Sequence, residues 1–208
     1  MTKIQFVYFD LGNIFVAFDP KLASNNLAKL AGTSPSVAWE ILYQSGLEDR
    51  FEHGEISSQE FADQLRKALA IQDSTITDQS ILDAISDMFT PIKSMATLVE
   101  KTRNAIGKVG ILSNTCEAHW DWIKRQSWEI ASLQFDVEIL SCRVGAMKPV
   151  EAIYLAAEQA AGVAPESIFF IDDKQVNVDA ARARGWDAHR CLGGGEAAAV
   201  FKQQLNIG

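Results

Sequence analysis

The chain has 208 residues, of which 48% are hydrophobic and 22% are charged, and its formal net charge is -8 at pH 7. This length supports one substantial hydrophobic core, or one core with a small accessory domain. The acidic balance excludes a general nucleic-acid surface, which needs a basic stripe to displace counterions, so we expect a small diffusible substrate.

Cysteine usage and hydropathy indicate the compartment. The three cysteines are widely spaced, without a CxxC pair or a surrounding histidine cluster, so neither a disulfide framework nor a zinc site is predicted around Cys116, Cys142 and Cys191. No apolar stretch approaches the roughly 20 residues that a bilayer span requires. No charged leader precedes the first predicted strand, and we therefore expect a cytoplasmic protein that does not enter the membrane.

The first predicted element is a strand that ends in a carboxylate. The apolar run 4–9 leads to Asp10, and the chain then turns through Leu11, Gly12 and Asn13. A carboxylate at the C-terminal edge of a buried parallel strand lies where open α/β sheets place ligands and chemistry. Asp10 is therefore a candidate nucleophile, because a carboxylate is already ionised at neutral pH.

Helical periodicity follows this strand. Within residues 16–91, Ser57 and Glu60 have the spacing of a capping box at the start of a helix. Pro91 is predicted to end the helical block. Helices inserted directly after the first catalytic strand would form a lid that excludes water and selects substrates.

Predicted helices and strands alternate in the rest of the chain, which gives a parallel sheet covered on both faces. The predicted helices are 93–105, 117–126, 150–161 and 176–184, and the predicted strands are 109–112, 137–141, 168–171 and 186–191. A glycine turn at 193–195 precedes a C-terminal helix. We predict an α/β fold with a Rossmann-like parallel sheet core, residues 1–15 plus 92–208, and an inserted all-helical cap domain, residues 16–91.

Polar side chains follow the second predicted core strand and precede a later helix. Ser113 and Asn114 come between a strand and a helix, where side chains and helix N-terminal amides can bind phosphate. Simple helix capping is the structural alternative for this pair. Lys148 comes directly before Pro149, and its ammonium could neutralise a phosphate and keep Asp10 ionised.

An acidic pair, Asp172 and Asp173, follows the strand 168–171. Adjacent carboxylates repel each other and raise one pKa unless a cation lies between them. The alternative is that one aspartate caps the following helix and the other is solvated. Mg²⁺ prefers such hard oxygen ligands and could bridge a nucleophilic carboxylate and a phosphate oxygen.

The polar groups occur in the order Asp10, Ser113, Lys148 and Asp172-Asp173, and over nearly the full chain this arrangement resembles the haloacid dehalogenase superfamily. Members of that superfamily are mostly Mg²⁺-dependent phosphatases that form an aspartyl-phosphate. The resemblance implies that Asp10 attacks phosphorus and that Lys148 assists, with Ser113, Asn114 and Lys148 binding the substrate. It implies Mg²⁺ ligands from Asp10, the carbonyl of Gly12, and Asp173 directly or through water, with Asp172 as an alternative or supporting ligand.

One position departs from the pattern of most superfamily phosphatases, which carry a second aspartate two residues after the nucleophile. Here that position is Gly12, so the chain resembles a branch that includes sugar-phosphatase-like members. General acid catalysis contributes about 10²–10⁴ in rate. We therefore expect a substrate with a good leaving group, such as an anomeric sugar phosphate or an acyl phosphate, unless a cap side chain or a water replaces the acid.

Three functions remain open from the sequence. The first is a Mg²⁺-dependent phosphatase of a small phosphorylated metabolite. The second is a 2-haloacid dehalogenase-type hydrolase, in which the same aspartate attacks carbon without a metal. The third is a non-catalytic member that binds a metabolite or a partner. In the insertion, Arg50 and His53 are the first candidates for substrate contact. Tryptophans spaced like Trp120 and Trp122 are more typical of core, and neither they nor His119 belong to the predicted site.

Overall fold

The computed structural model describes residues 3–208; the first two residues of the predicted core segment, and the prediction that no leader begins there, lie outside this range. The strands are β1 (Phe6–Phe9), β2 (Val16–Phe18), β3 (Phe89–Pro91), β4 (Val109–Ser113), β5 (Val137–Leu140), β6 (Ile168–Asp172) and β7 (Asp187–Arg190). Five of them form a parallel sheet in the order β5-β4-β1-β6-β7. Strands β2 and β3 form a separate antiparallel pair.

Helices cover the sheet and build the insertion. They are α1 (Pro20–Ala31), α2 (Pro35–Trp39), α3 (Leu47–Glu52), α4 (Ser58–Ala68), α5 (Asp78–Ser86), α6 (Ser94–Ile106), α7 (Glu117–Lys124), α8 (Ser141–Val144), α9 (Glu151–Ala161), α10 (Gln175–Ala183) and α11 (Gly195–Leu205). A π-helical segment, Glu40–Gln44, extends α2. Within residues 3–208, no helix is long and apolar enough to cross a bilayer.

Strand β1 is at the centre of the sheet and is buried on both faces. Its side chains alternate, so that Val7 and Phe9 join one hydrophobic cluster while Phe6 and Tyr8 join another. A strand with two buried faces has a continuous apolar sequence rather than an alternating one. The burial of β1 therefore explains its apolar run and fixes Asp10 at the edge of the sheet.

The helices between β2 and β3 pack around a second hydrophobic cluster, which includes Leu27, Leu65 and Ile81 and is completed by Cys116 and Ala118. In this core the rings of Phe51 and Phe61 stack with their centroids 4.3 Å apart. The predicted capping box is confirmed: the Ser57 side chain accepts from the Glu60 amide, and the Glu60 carboxylate accepts from the Ser57 amide.

The structure confirms the α/β class and corrects one detail of the insertion. The segment expected to be helical throughout begins and ends with short strands, in which Val16 pairs with Pro91 and Phe18 pairs with Phe89. Pro91 thus belongs to a strand instead of ending a helix. Strands of three residues are too short to show a period of two in the sequence, so the helical periodicity around them dominates.

Candidate active site

Three neighbouring strands of the sheet, β4, β1 and β6, end beside one cavity of about 300 Å³. Because the strands are parallel, their carboxyl ends meet at one edge, where open α/β sheets bind ligands. The residues that the sequence predicted for the site all lie at this edge or beside it: Asp10, Gly12, Ser113, Asn114, Lys148, Asp172 and Asp173.

Lys148 joins the ends of all three strands through its buried ammonium group. Its Nζ atom is 2.8 Å from Asp10 Oδ1 and 2.6 Å from Asp172 Oδ2, and it donates to the Leu112 carbonyl at 2.8 Å. An ammonium has three N–H donors, so all of them have a partner. Burial alone would lower the pKa of Lys148, but Asp10 and Asp172 raise it above its ordinary value, which keeps the ammonium charged.

Asp10 lies almost out of contact with solvent, at 7% exposure. Burial raises the pKa of its carboxyl group to about 6, and Asp172 adds to this rise, whereas the Lys148 ammonium opposes it. The ionised form that a nucleophile needs is therefore stabilised by one cation, and a second cation would stabilise it further.

Asp172 is committed to hydrogen bonds within the protein. Its two carboxylate oxygens accept from the Asn177 side chain at 3.0 Å each, from the Lys174 amide at 2.8 Å and from Lys148. Asp173 is half-buried and accepts from the Asn13 side chain at 2.9 Å. The first carboxylate thus positions Lys148, while the second has an oxygen free for a ligand.

The carboxylates of Asp10, Asp172 and Asp173 form a group that suits a hard divalent cation. One oxygen from each lies within 4.8 Å of the others. Lys148 contributes a single positive charge against these three carboxylates. Mg²⁺ is bound by carboxylate, carbonyl and water oxygens, and the Gly12 backbone also lines the cavity, so the residues present fit this ion.

Asn114 uses its side chain to hold the backbone of Lys148. Its Oδ1 accepts from the Lys148 amide at 2.7 Å, and its Nδ2 donates to the Lys148 carbonyl at 2.9 Å. The second N–H of the Asn114 side-chain amide remains available to a ligand. Ser113 is buried beside it, and among residues 3–208 its hydroxyl makes only a 3.4 Å hydrogen bond, to the Asn114 carbonyl.

The expectation for the insertion is wrong about which residues reach the cavity. Arg50 pairs with Glu55 at 3.6 Å, and His53 Nδ1 contacts the Asp49 carbonyl; neither Arg50 nor His53 lines the cavity. The insertion instead supplies Tyr43, Glu48 and Glu52 among the lining residues. The two glutamates are four residues apart and share a helix face, a spacing that the sequence displays.

Helix α7 also contributes a side chain to the cavity wall beside Glu48 and Glu52. His119, which was not predicted for the site, is 2% exposed and lines the cavity. Trp120 and Trp122 are buried in the main hydrophobic cluster, as predicted.

Comparison with known proteins agrees with this fold. The profile of a hydrolase family, haloacid dehalogenase-like hydrolase, matches residues 56–185. This match spans more than half of the chain, so the protein belongs to the haloacid dehalogenase-like hydrolases. The family resemblance found in the sequence is confirmed.

Solved structures of other proteins share the fold over nearly the whole chain. A HAD family enzyme from Bacteroides thetaiotaomicron, in complex with magnesium and inorganic phosphate, is 24% identical, with a TM-score of 0.80 over 95% of this chain and 99% of that chain. A predicted HAD-like hydrolase from Porphyromonas gingivalis is 23% identical, with a TM-score of 0.81 over 100% of both. The L-2-haloacid dehalogenase from Xanthobacter autotrophicus, with chloropropionic acid covalently bound, is 19% identical, with a TM-score of 0.60 over 99% and 84%.

Proposed function

We propose that this hydrolase is a Mg²⁺-dependent phosphatase that cleaves a small phosphorylated metabolite through an aspartyl-phosphate on Asp10. One observation carries the proposal: the buried Lys148 ammonium contacts both Asp10 and Asp172, in a group whose carboxylates also include the half-buried Asp173. The magnesium and phosphate bound to the Bacteroides relative support the same chemistry.

Each residue of the group has a role in phosphoryl transfer, which needs an in-line nucleophile and positive charge around the phosphate oxygens. Asp10 attacks phosphorus, and Lys148 neutralises charge on the phosphate and on Asp10. Asp10, the Gly12 carbonyl and Asp173 would hold Mg²⁺, which when bound supplies further positive charge to the phosphate. The Ser113 hydroxyl and the amides at the start of α7 would bind the phosphate oxygens.

The position of Gly12 supports a substrate with a good leaving group. A β-carbon at Gly12 would lie 3.1 Å from Cε1 of the Phe18 ring, so this ring fills the space where a side chain would begin. Many superfamily phosphatases carry a second aspartate at the position of Gly12, which protonates the leaving group. Here another group must supply that proton, or the leaving group must depart without it. We therefore place the protein in the sugar-phosphatase-like branch, with an anomeric sugar phosphate or an acyl phosphate as its substrate class.

The proposal assigns different roles to two parts of the chain. Residues 1–15 and 92–208 form the hydrolase core, and residues 16–91 form a cap that supplies Tyr43, Glu48 and Glu52 to the cavity. Selection of the leaving group then belongs to the cap. Cytoplasmic residence stays a prediction from the sequence.

The test is phosphate release from a panel of anomeric sugar phosphates, acyl phosphates and simple alkyl phosphates, with Mg²⁺ or with EDTA. We expect Mg²⁺-dependent release by the wild type and no release by Asp10→Asn, because an amide is a poor nucleophile. Asp179→Asn is the matched control, since Asp179 is exposed on α10 and bonds only to Gln175 among the described residues.

Other outcomes would support the alternatives. Release that survives Asp10→Asn unchanged would refute Asp10 as nucleophile. Chloride release from 2-haloacids that persists in EDTA would identify a dehalogenase and leave Asp173 without a catalytic role. Thermal stabilisation by phosphorylated metabolites without turnover would identify a binding protein.

A further inference from the structure

We propose that Glu48, Glu52 and His119 form a second metal site, for a transition-metal ion of the Zn²⁺ class, in the wall of the same cavity. One ligand atom from each residue lies within 4.8 Å of the others. These residues come from helices α3 and α7 and include none of the carboxylates proposed to bind Mg²⁺. The site is thus distinct from the Asp10 group, and its occupancy does not depend on the proposed phosphatase activity.

The hydrogen bonds around His119 fix which of its ring nitrogens faces the glutamates as an acceptor. The Ser86 hydroxyl donates its single hydrogen to the Leu82 carbonyl at 2.7 Å, so Ser86 Oγ can only accept from His119 Nδ1 at 3.0 Å. In the neutral ring the proton therefore resides on Nδ1. The Nε2 atom presents a lone pair.

That lone pair has no hydrogen-bond partner within residues 3–208, although the His119 side chain is 3% exposed. Glu48 Oε1 lies 3.7 Å away; it is also an acceptor and is too far away for a hydrogen bond. A buried polar atom without a partner is rare in folded proteins and calls for a ligand.

The observed spacing suits a bridging ion better than a proton. A protonated imidazole would donate to Glu48 at about 2.7–2.9 Å. Two ligand atoms that share a tetrahedral Zn²⁺, with bonds of about 2.1 Å, lie about 3.4 Å apart. The 3.7 Å separation of Nε2 and Oε1 is therefore within a few tenths of an ångström of the metal-bridged distance.

The charges around Glu48, Glu52 and His119 also favour a bound cation. Burial raises the pKa of Glu52 to about 7, and Glu48 raises it further, whereas His119 and Lys174 lower it. Lys174 lines the same cavity but forms no ion pair within 4.0 Å of either glutamate in the described part of the chain. Burial opposes protonation of His119, yet Cys116 and Glu48 raise its pKa well above the ordinary value, so without an ion these neighbours favour a proton on Nε2, which a metal ion would replace.

The ligand set indicates the class of ion. An imidazole with two carboxylates suits Zn²⁺, Mn²⁺ or Co²⁺, while Mg²⁺ and Ca²⁺ prefer oxygen alone. A metal-bound histidine almost always donates its other N–H to an oxygen acceptor, as His119 does to Ser86. Three protein ligands leave a coordination position open to the cavity, where water or a substrate oxygen can bind.

The test is Zn²⁺ titration of the metal-free full chain by calorimetry, with excess Mg²⁺ present to occupy the Asp10 group. We expect one equivalent of Zn²⁺ to bind to the wild type. His119→Ala should lose it, Glu52→Gln should weaken it at least tenfold, and Asp173→Asn should retain it. His53→Ala is the matched control, because His53 is adjacent to Glu52 in sequence but does not line the cavity.

Two results would overturn the second site: no Zn²⁺ binding in the presence of Mg²⁺, or binding that disappears in Asp173→Asn and persists in His119→Ala. Because His119 is buried, its variant could fold poorly, so Glu48→Gln provides a second test at a more exposed position. With Co²⁺ in place of Zn²⁺, a visible absorption band should appear in the wild type and be absent from Glu48→Gln. An unchanged band in that variant would also contradict the site.

Discussion

Asp172 and Asp173 are adjacent in the chain, yet their hydrogen bonds assign them different tasks. Asp172 is fully buried and its oxygens are occupied by Lys148, Asn177 and a backbone amide. Asp173 is oriented by a single side-chain donor, Asn13. The free oxygen of Asp173 makes Asp173 the better candidate for direct metal binding. Asn13 is then the residue that orients it.

Asn13 has a backbone conformation that suits its position. Its φ angle is 55°, in the left-handed region that asparagine tolerates better than most residues. We expect Asn13→Ala to weaken Mg²⁺ binding by about 10–100-fold, because residues that orient metal ligands contribute that much to affinity. The Mg²⁺ concentration that gives half-maximal phosphate release measures the effect.

A matched variant separates this effect from backbone strain. Asn206 has a φ angle of 57° at the end of α11, so Asn206→Ala carries the same conformational penalty away from the cavity. The Mg²⁺ requirement of Asn206→Ala should equal that of the wild type. Equal requirements for both variants would show that Asn13 does not orient Asp173.

At the scale of the elements, the C-terminal end of helix α3 contacts helix α8. The Ser141 hydroxyl lies 2.6 Å from the Glu52 carbonyl, within hydrogen-bonding distance. Gly54 has a φ angle of +73°, and a β-carbon there would lie 2.0 Å from the Cys142 carbonyl oxygen. Only glycine allows this approach, which places Glu52 at the cavity.

Gly54→Ala should therefore separate α3 from α8 and displace Glu52. Overpacking of this kind costs about 1–3 kcal/mol in the free energy of unfolding. We expect that loss in urea unfolding, together with a higher KM for the best ester of the panel and a smaller change in kcat, since Asp10 and Lys148 do not belong to α3 or α8.

The matched control is Gly46→Ala at the other end of the same helix. Gly46 has a φ angle of +79°, and apart from its chain neighbours no atom of residues 3–208 lies within 4 Å of the added β-carbon. It carries the strain of a positive φ angle without the collision. A Gly46→Ala variant as destabilised as Gly54→Ala, with the same rise in KM, would contradict the proposed contact.

At the scale of the whole molecule, the sequence predicted the sheet well, because buried parallel strands are continuous apolar runs. The predicted strand 109–112 is observed as Val109–Ser113, and the predicted strand 168–171 as Ile168–Asp172. Polar residues directly after such runs must meet at one edge of a parallel sheet, which is why the positions of Asp10 and Asp173 could be inferred.

The cavity wall could not be predicted in the same way. Which face of α3 meets the cavity depends on how that helix packs against α8, a contact between residues far apart in sequence. Neither Arg50 nor His53 lines the cavity, although each lies within one or two residues of a glutamate that does, Glu52. The strands β2 and β3 could not be predicted either, because three residues are too few to show the two-residue period of a strand.

Borohydride trapping can show directly whether Asp10 becomes phosphorylated during turnover. Borohydride reduces an acyl phosphate to an alcohol, so the enzyme is mixed with Mg²⁺ and the most rapidly hydrolysed ester of the panel, then reduced and digested. Peptide mass spectrometry should locate the reduced side chain at position 10, only when Mg²⁺ and ester are both present. An unmodified Asp10 during turnover, or reduction at a different carboxylate, would contradict the account.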